Sequence, residues 1–589
     1  MNRGPPSTEN FWIETGRGYI GAAWYWPEFG EAPPTAVLVV PGIAHEERTM
    51  AQGLAALAES LLRVGLPTLL IDLHGTAQST GSLSDDAIGD RWRSDIRAAI
   101  GHIRQAGFSK IIVVGVRLGA LLALDALGDE TKLAMIAWAP VTSGRRYARE
   151  LKILQGMGAH QGAPGAAAAS ISIAGHDIPR SVTSHLASLD MAEIVAGLPS
   201  HMLHLDSADH LDTAWVDKYR EHGVAIEQSI STAANDWLLG GHDSPPVPAD
   251  DIQTITRWCS RVGAADSLGA AAPTRRPTLL TEISFESGGK RIRERFVKIG
   301  PVGLTAVVTE PAESAPDGAT RVLLTLVGPG RLFPEFARRE AGRGKVSVRF
   351  DFSGFSTSGR RFAGHGGEFY SLSNQLDILD AVRQLRRERP EGAMLLGFCA
   401  GAWSMIQAGP QPGVVAAAAI NVALYRQPDY VLKEYLLGPG SVWSRGLSFL
   451  RRFGSLSRTI DSAERNSSFR SGPMRWLKKY RESGVPLLLS FGASDLGLIY
   501  LQRRLGTAHD DERRHGQLAL RSYDGLGHLT EGAPARGRML AEVSEFFDAV
   551  DRRIANATAG IELSATGAHS SADSERATMP TTGTSSVSR

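Results

Sequence analysis

The chain has 589 residues, of which 43% are hydrophobic and 21% charged, and its formal net charge is +1. This length exceeds what one hydrophobic core supports and predicts two domains, while the near-neutral charge gives no indication of nucleic acid as a partner. The two cysteines exclude a disulfide framework, and with no apolar signal core and no run of roughly 20 apolar residues we expect a cytoplasmic protein without stable membrane insertion.

In the first half, β-type runs alternate with helical patterns. The run 35–42 ("TAVLVVPG") ends at glycine and is followed by the helical pattern 51–65. The run 66–81 leads through Asp72 into a Gly/Ser/Thr loop, and 111–120 ("IIVVGVRLGA") indicates a strand, a sharp turn and a helix.

The second half repeats this layout. Asp72 and Asp351 are 279 residues apart, and Arg117 and Cys399 are 282 apart, so the motifs recur in one order at a nearly constant spacing. In each copy, apolar strands that alternate with amphipathic helices predict a mostly parallel sheet with helices on both faces. We predict domains at 1–265 and 280–550, a linker at 266–279 and a disordered tail at 551–589.

Cys399 lies between Gly397 and Gly401 at the end of an apolar strand, "LLGFCAGAW". A G-x-nucleophile-x-G turn from strand to helix is the nucleophile elbow of α/β-hydrolases, so we predict two tandem α/β-hydrolase domains. The glycines permit the tight turn, and the start of the following helix favours a thiolate and helps to hold an oxyanion.

The acid and the histidine of this fold follow the nucleophile in that order. Asp495 comes after the run "VPLLLSFGAS", and His528 lies in the Gly-flanked loop after "LALRSYDG". We predict Cys399 as nucleophile, His528 as base and Asp495 as orienting acid, with Asp524 and Asp351 as rival acids.

Oxyanion donors are expected next to the nucleophile and in the loop after the first parallel strand of this copy. The backbone amide of Ala400 is the first candidate. In "VGPGRLF", proline has no N–H, so Gly330 or Arg331 is the second. We expect Cys259, on the last helix of the first copy, to be an inert core thiol. No metal or cofactor is indicated.

The first copy has Arg117 at its elbow, which cannot act as a nucleophile. We therefore expect no catalysis there and interpret Asp206, Asp209 and His242 as ordinary loop residues. A positive side chain at a helix N-terminus calls for a negative partner. This partner is either a buried acid, Asp72 or Glu46 in a structural ion pair, or an anionic ligand.

A basic, aromatic insert at 425–484 occupies the position of a helical lid over the second site, with Arg451, Arg452, Lys478 and Lys479 prominent. One interpretation is a solvated charged face. The alternative is a cationic lid for an acyl chain carried on coenzyme A or acyl carrier protein. A role at a membrane surface is the weaker third possibility, because the whole chain is near neutral.

Several of these stretches resemble two known families. The first copy resembles the exosortase A system-associated hydrolase type 2 proteins, which also have arginine at the elbow. The second copy is similar to the type 1 proteins of the same systems, which have a cysteine at the elbow that maps to Cys399. The type 1 proteins usually have Asp after the cysteine, where this chain has Ala400. The matching stretches are "VVPGIAHEERTM", "DLHGTAQSTG", "GVRLGA", "AWAPVTSGRRYARELK" and "AGHDIPRSVTSHLASLD" in the first copy, and "RFDFSGFSTSG", "GFCAGA" and "DYVLKEYLLGPGSVWSRGLSFLRRF" in the second.

The residues together predict an acyl hydrolase that works through a Cys-acyl intermediate on a thioester or ester, with the two copies packed as an intramolecular pseudo-dimer. An acyltransferase or cyclase in natural-product or exopolysaccharide biosynthesis is the alternative. A non-catalytic binding or scaffold protein, with both copies degenerate, is the further alternative. The presence of Gly397, Gly401, Asp495 and His528 disfavours it, because a decayed site need not keep this set.

Overall fold

The computed structural model describes most of the chain, with gaps in several loops and at both ends. The described residues are 7–26, 33–128, 133–158, 170–211, 213–231, 247–264, 277–313, 322–326, 331–362, 367–424, 472–505 and 518–575.

The first half is built on an eight-stranded sheet. Its strands lie in the order β1-β2-β4-β3-β5-β6-β9-β10, and β4 to β10 are parallel while β1 and β2 run antiparallel at one edge. The strands are β1 (Ser7–Thr15), β2 (Gly18–Trp26), β3 (Thr35–Val40), β4 (Thr68–Ile71), β5 (Lys110–Val116), β6 (Leu133–Trp138), β9 (His201–Asp206) and β10 (Ala225–Ile230), with β7 (Ser170–Ile173) and β8 (His176–Pro179) as a separate hairpin.

The second half has a nine-stranded sheet in the order β11-β12-β13-β15-β14-β16-β17-β18-β19. After the extra edge strand β11, this order repeats that of the first sheet, with antiparallel strands at one edge and six parallel strands after them. The strands are β11 (Glu282–Ser287), β12 (Lys290–Ile299), β13 (Leu304–Pro311), β14 (Val322–Leu326), β15 (Val346–Phe350), β16 (Ala393–Phe398), β17 (Val414–Ile420), β18 (Leu487–Gly492) and β19 (Leu518–Tyr523).

Amphipathic helices connect the parallel strands and cover the sheets. Their apolar residues and those of the strands form buried clusters in each half, as an α/β layer architecture requires. The helices are α1 (His45–Arg63), α2 (Ile88–Gln105), α3 (Leu118–Leu127), α4 (Gly144–Gly158), α5 (Arg180–Ala187), α6 (Ala214–Glu221), α7 (Ala249–Ala264), α8 (Leu332–Gly342), α9 (Leu372–Glu388), α10 (Cys399–Ala408), α11 (Gly472–Ser483), α12 (Leu496–Leu505) and α13 (Ala533–Glu575).

The two halves belong to one compact unit, residues 1–539, and polar contacts join them. The guanidinium of Arg338 donates to the carbonyl oxygens of Gln78 and Ser79 in the first half, at 2.8 and 2.9 Å. The same guanidinium and that of Arg349 both form ion pairs with fully buried Glu294, at 2.9 and 3.1 Å. Because these charges are desolvated and paired, they fix how the first half meets the second.

Residues 540–589 form a second compact unit. The prediction of a disordered tail at 551–589 is wrong for residues 551–575, because α13 continues to Glu575; residues 576–589 lie outside the described part. The stretch from Ala533 to Glu575 is rich in alanine and contains only one proline, Pro534 at the start of the helix, where proline is tolerated.

Candidate active site

Cys399 lies at the turn between β16 and α10, as the sequence predicted. Its φ of 44° is in the left-handed region, a strained conformation for a residue with a Cβ. At Gly397 a Cβ would lie 2.5 Å from the Cα of Ala402, so only glycine permits this close approach of strand and helix. The turn therefore presents the Cys399 thiol beyond the carboxyl end of the sheet.

The structure brings the three predicted catalytic side chains together. The Cys399 Sγ lies 3.3 Å from Nε2 of His528, and Nδ1 of His528 lies 2.5 Å from Oδ2 of Asp495. The Asp495 side chain is 1% exposed and that of His528 is 31% exposed, so the acid is shielded while a substrate can reach the imidazole. Asp495, rather than the rivals Asp524 and Asp351, contacts the histidine.

Buried polar contacts hold the loops that carry the acid and the histidine. The Asn421 Nδ2 donates to the carbonyl oxygens of Gly527 and His528, at 3.1 and 2.7 Å, and its Oδ1 accepts from the Gly492 amide at 2.9 Å. The second oxygen of Asp495 accepts from the Gly497 amide at 2.7 Å. Sequence reasoning missed Asn421, although its place directly after the apolar strand β17 is a signal for a site residue.

Tyr370 is a second residue that the sequence analysis missed. Its hydroxyl lies 3.4 Å from the Cys399 Sγ, and its ring packs edge-on against Trp403 in α10. With a φ of 60° it is held in a strained conformation, as residues at functional sites often are. Tyr370 lies in a loop 29 residues before the cysteine, and no sequence motif marks it.

The electrostatics favour a charged pair. Burial on its own lowers the pKa of His528, but the hydrogen bonds with Asp495 and Cys399 outweigh it and raise that pKa to about 10. The imidazolium thus persists well above neutral pH beside a negative carboxylate and a thiol. Such a histidine stabilises a thiolate, which is the nucleophilic form of cysteine.

The same architecture is present twice. Arg117 takes the place of Cys399 at the turn between β5 and α3, with a φ of 53°, and a Cβ on Gly115 would lie 2.4 Å from the Cα of Ala120. Both sheets share one strand order and one strained strand-to-helix turn. Each half has the α/β-hydrolase fold.

No family model and no curated protein matches the chain. It is similar to solved structures that each cover less than half of it. Est1E from Butyrivibrio proteoclasticus has a TM-score of 0.32 and 14% identity over 44% of this chain and 98% of its own. The Pyrococcus furiosus esterase Pf2001 has a TM-score of 0.30 and 14% identity over 44% and 91%. A lipase in its open form has a TM-score of 0.32 and 16% identity over 44% and 100%.

Of the predicted oxyanion donors, the Ala400 amide lies in the first turn of α10, where N–H groups have no intrahelical acceptor. Gly330 lies outside the described residues. Arg331 directly precedes α8, and its guanidinium is turned towards the first α/β-hydrolase half, where it donates to the carbonyl oxygens of Ser79 and Gly81, both at 2.8 Å. A role of its backbone amide stays a prediction.

In the first α/β-hydrolase half, Arg117 is buried in an ion-pair cluster. Its Nε donates to Glu46 at 3.0 Å and its Nη2 to Glu150 at 2.8 Å. Of the two predicted acidic partners, Glu46 contacts Arg117, whereas Asp72 accepts a hydrogen bond from the Gln78 amide. Glu150 was missed because it lies 33 residues away on α4.

Three of the remaining predicted positions, Asp206, Asp209 and Cys259, lie in the first half of the chain. Asp206 is buried at the end of β9 and accepts from the Ser207 amide, and Asp209 is exposed. Cys259 is buried, and burial raises the pKa of its thiol, as expected of an inert cysteine. His242 lies outside the described residues.

Of the predicted lid, only α11 is described, and Arg451 and Arg452 lie outside the described residues. Lys478 and Lys479 are exposed on this helix, and Lys478 pairs with Glu482 at 3.6 Å. Within the described ranges, no helix is long and apolar enough to cross a bilayer. The same ranges contain no group of three His, Cys, Asp or Glu side chains that could hold a metal ion.

Proposed function

We propose that the chain is an acyl hydrolase that cleaves thioesters or esters through an acyl intermediate on Cys399. The observation that carries the proposal is the unbroken contact from the Cys399 Sγ through His528 to buried Asp495. A decayed copy has no need of this constellation, and the first half, with Arg117 at its elbow, lacks it. The resemblance to Cys-elbow hydrolases of exosortase A systems supports the same chemistry.

The geometry supports a two-step reaction. The Cys399 thiolate attacks the carbonyl carbon, and the Ala400 amide stabilises the oxyanion. The tetrahedral intermediate collapses to a thioester on Cys399, while the leaving thiol or alcohol takes the proton from Nε2 of His528. Water then loses a proton to His528 as it attacks the thioester, which releases the acid and restores the thiolate–imidazolium pair. Asp495 keeps the imidazole oriented through both steps.

The first half would support this site without chemistry of its own. Arg331, directly before α8, and Arg338, in the middle of α8, donate to backbone carbonyls of the first half. The helix that follows the proposed oxyanion loop is thereby tied to the other copy. This arrangement supports the proposed pseudo-dimer, in which one active copy depends on an inactive one.

A panel of acyl thioesters tests the proposal. We incubate the full chain with coenzyme A and pantetheine thioesters of different acyl groups, quench in acid and digest for mass spectrometry. We expect the acyl mass on the Cys399 peptide and none on the Cys259 peptide. Product analysis with added amines and alcohols tells whether water or another acceptor takes the acyl group. Turnover with an acyl adduct on a different residue contradicts the proposal.

The charged pair predicts an unusual pH dependence of alkylation. A free thiol has a pKa of about 8.5, so on the order of one part in a few hundred is thiolate at pH 6. Since His528 keeps its proton up to pH about 10, we expect iodoacetamide to alkylate Cys399 at nearly the same rate from pH 6 to 9. In His528→Ala the rate at pH 6 should fall on the order of 100-fold and rise again with pH. If the alkylation rate of the parent protein and that of His528→Ala depend on pH in the same way, Cys399 and His528 do not form a thiolate–imidazolium pair.

A further inference from the structure

A cavity of about 320 Å³ lies between the two halves, lined by strands and helices of both. Its walls are largely apolar, and neither half encloses it alone. The first half contributes Tyr25, Val39 and Leu54 to these walls, and the second contributes Phe333, Phe350 and Phe369. The volume is in the range of small-molecule sites, which are mostly apolar with a few placed polar groups.

Three carboxyl groups line this otherwise apolar cavity: Glu47, Asp72 and Asp351. Asp72 and Asp351 are the repeated aspartates of the two copies, which the proposed reaction does not use. Each of these three residues is part-buried. The cavity thus has an acidic region contributed by both halves.

These carboxyl groups are poorly compensated by protein groups. Oε2 of Glu47 accepts from the Ala77 amide at 3.3 Å, and its Oε1 has no hydrogen-bond donor. Oδ2 of Asp72 accepts from the Gln78 amide at 3.2 Å. Among the described residues, no Lys or Arg nitrogen lies within 4.0 Å of a carboxylate oxygen of Glu47, Asp72 or Asp351.

The nearby cations donate mainly to other groups, although Arg349 also lines the cavity and its Nε has no hydrogen-bond partner. Arg331 donates to main-chain carbonyls of the first half, and Arg349 donates to Gln78 and Glu294. Lys298 donates to Thr305 and to the carbonyl oxygen of Thr357. The cavity is thus lined by three carboxyl groups and by one guanidinium, that of Arg349, which already pairs with Glu294.

Burial makes all three carboxyl groups weaker acids. Burial, reinforced by the charge of Asp72, raises the pKa of Glu47 to about 8. Burial likewise raises the pKa of Asp72 to about 7 and that of Asp351 to about 6. All three acids lose their protons within a range that a solution experiment can cover.

We propose that this cavity binds a small organic cation, a primary ammonium group on an apolar body. The ammonium donates hydrogen bonds to Glu47 and Asp72, and the apolar body packs against the phenylalanines of the second half. At a pH at which the carboxyls are ionised, a neutral apolar ligand leaves their charge uncompensated, and a metal ion finds no preformed group of ligands among the described residues. The site does not involve Cys399 and is independent of the proposed reaction.

Calorimetric titration of the full chain tests the site with two probes of one shape, 2-phenylethylamine and 2-phenylethanol. An alkylammonium has a pKa of about 10, so the amine is charged at pH 8.5 while the carboxyls are ionised. We expect the amine to bind at least about tenfold more tightly than the alcohol at pH 8.5, because hydrogen bonds to charged groups contribute that much or more. At pH 5.5 the carboxyls are protonated and the advantage of the amine disappears.

Three variants locate the binding. Glu47→Gln and Asp72→Asn should each weaken amine binding about tenfold at pH 8.5 and leave alcohol binding unchanged. Asp217→Asn, an exposed carboxyl on α6, is the matched control and should bind as the parent does. Cys399→Ala should also bind the amine normally, which separates this site from the proposed reaction.

Equal affinities for amine and alcohol, no binding of either at millimolar concentration, or full amine binding in Glu47→Gln each overturn the proposal. If a cavity variant fails to fold, the comparison of the two probes at pH 5.5 and 8.5 in the parent protein still decides the question.

Discussion

Replacing Cys399 with alanine is expected to abolish thioester turnover and covalent labelling and to leave the fold intact. Loss of a catalytic nucleophile costs on the order of 10⁶ in kcat where the other groups of a triad depend on it. Alanine keeps the Cβ that the strained turn already accommodates, so the melting temperature should change little. Steady-state kinetics and intact-protein mass spectrometry measure the two losses.

Two further variants serve as controls for the loss of activity in Cys399→Ala. Cys399→Ser should retain little activity, because a hydroxyl is far less acidic than a thiol and His528 cannot keep it ionised. Cys259→Ala removes the other, buried thiol and should leave kcat unchanged. Undiminished turnover in Cys399→Ala ends the proposed mechanism, whatever the labelling pattern.

The sequence predicts the repeat, the elbow and the triad, because each depends on a local pattern of residues at the end of a strand. The strand order then places these strand ends next to one another. Cys399, Asp495 and His528 each follow a strand of the same parallel sheet, and the carboxyl ends of parallel strands share one edge. The choice of Asp495 over Asp524 follows from the same rule. Asp495 comes after β18, which is the neighbour of β19 in the sheet, and His528 comes after β19.

Contacts made by isolated residues could not be predicted in this way. Tyr370 approaches Cys399 from a loop without a motif, and Glu150 reaches Arg117 from α4, so each contact depends on a packing distance that periodicity does not encode. Composition alone does not predict the helix beyond residue 551, because a stretch with little to bury can still favour helix when it is rich in alanine.

Arg117 presents a question of stability rather than catalysis. Arg117 is 7% exposed, and its guanidinium donates to Glu46, which is 1% exposed, and to part-buried Glu150. The remaining terminal nitrogen donates to the Ala139 carbonyl oxygen at 3.3 Å. Because each of its three side-chain nitrogens donates to a protein acceptor, Arg117 is better explained as part of a structural ion pair than as a site for an anionic ligand.

We therefore expect Arg117→Ala to destabilise the protein strongly, since removal of one partner leaves a buried carboxylate uncompensated at a cost of about 3–5 kcal/mol. At an unfolding entropy of about 2.1 cal/mol/K per residue, the corresponding fall in the melting temperature of the 539-residue unit is about 3–5 °C. Arg93→Ala is the matched control: Arg93 also pairs with two acids but is 30% exposed, so its loss should cost about 1 kcal/mol or less.

The pH dependence of the Arg117→Ala deficit identifies its cause. Burial raises the pKa of Glu46 and Arg117 opposes that shift, so in the variant the folded-state pKa rises further above the unfolded value. A carboxyl with a raised folded pKa destabilises the native state as pH rises through that range and does so little when protonated. The loss of stability in Arg117→Ala should therefore be larger at pH 8 than at pH 5, and Glu46→Gln added to Arg117→Ala should recover part of it.

Coenzyme A should not raise the melting temperature of the parent protein by binding to Arg117. An unchanged melting temperature in Arg117→Ala contradicts the structural role, and protection by coenzyme A that the variant loses assigns Arg117 to an anionic ligand instead.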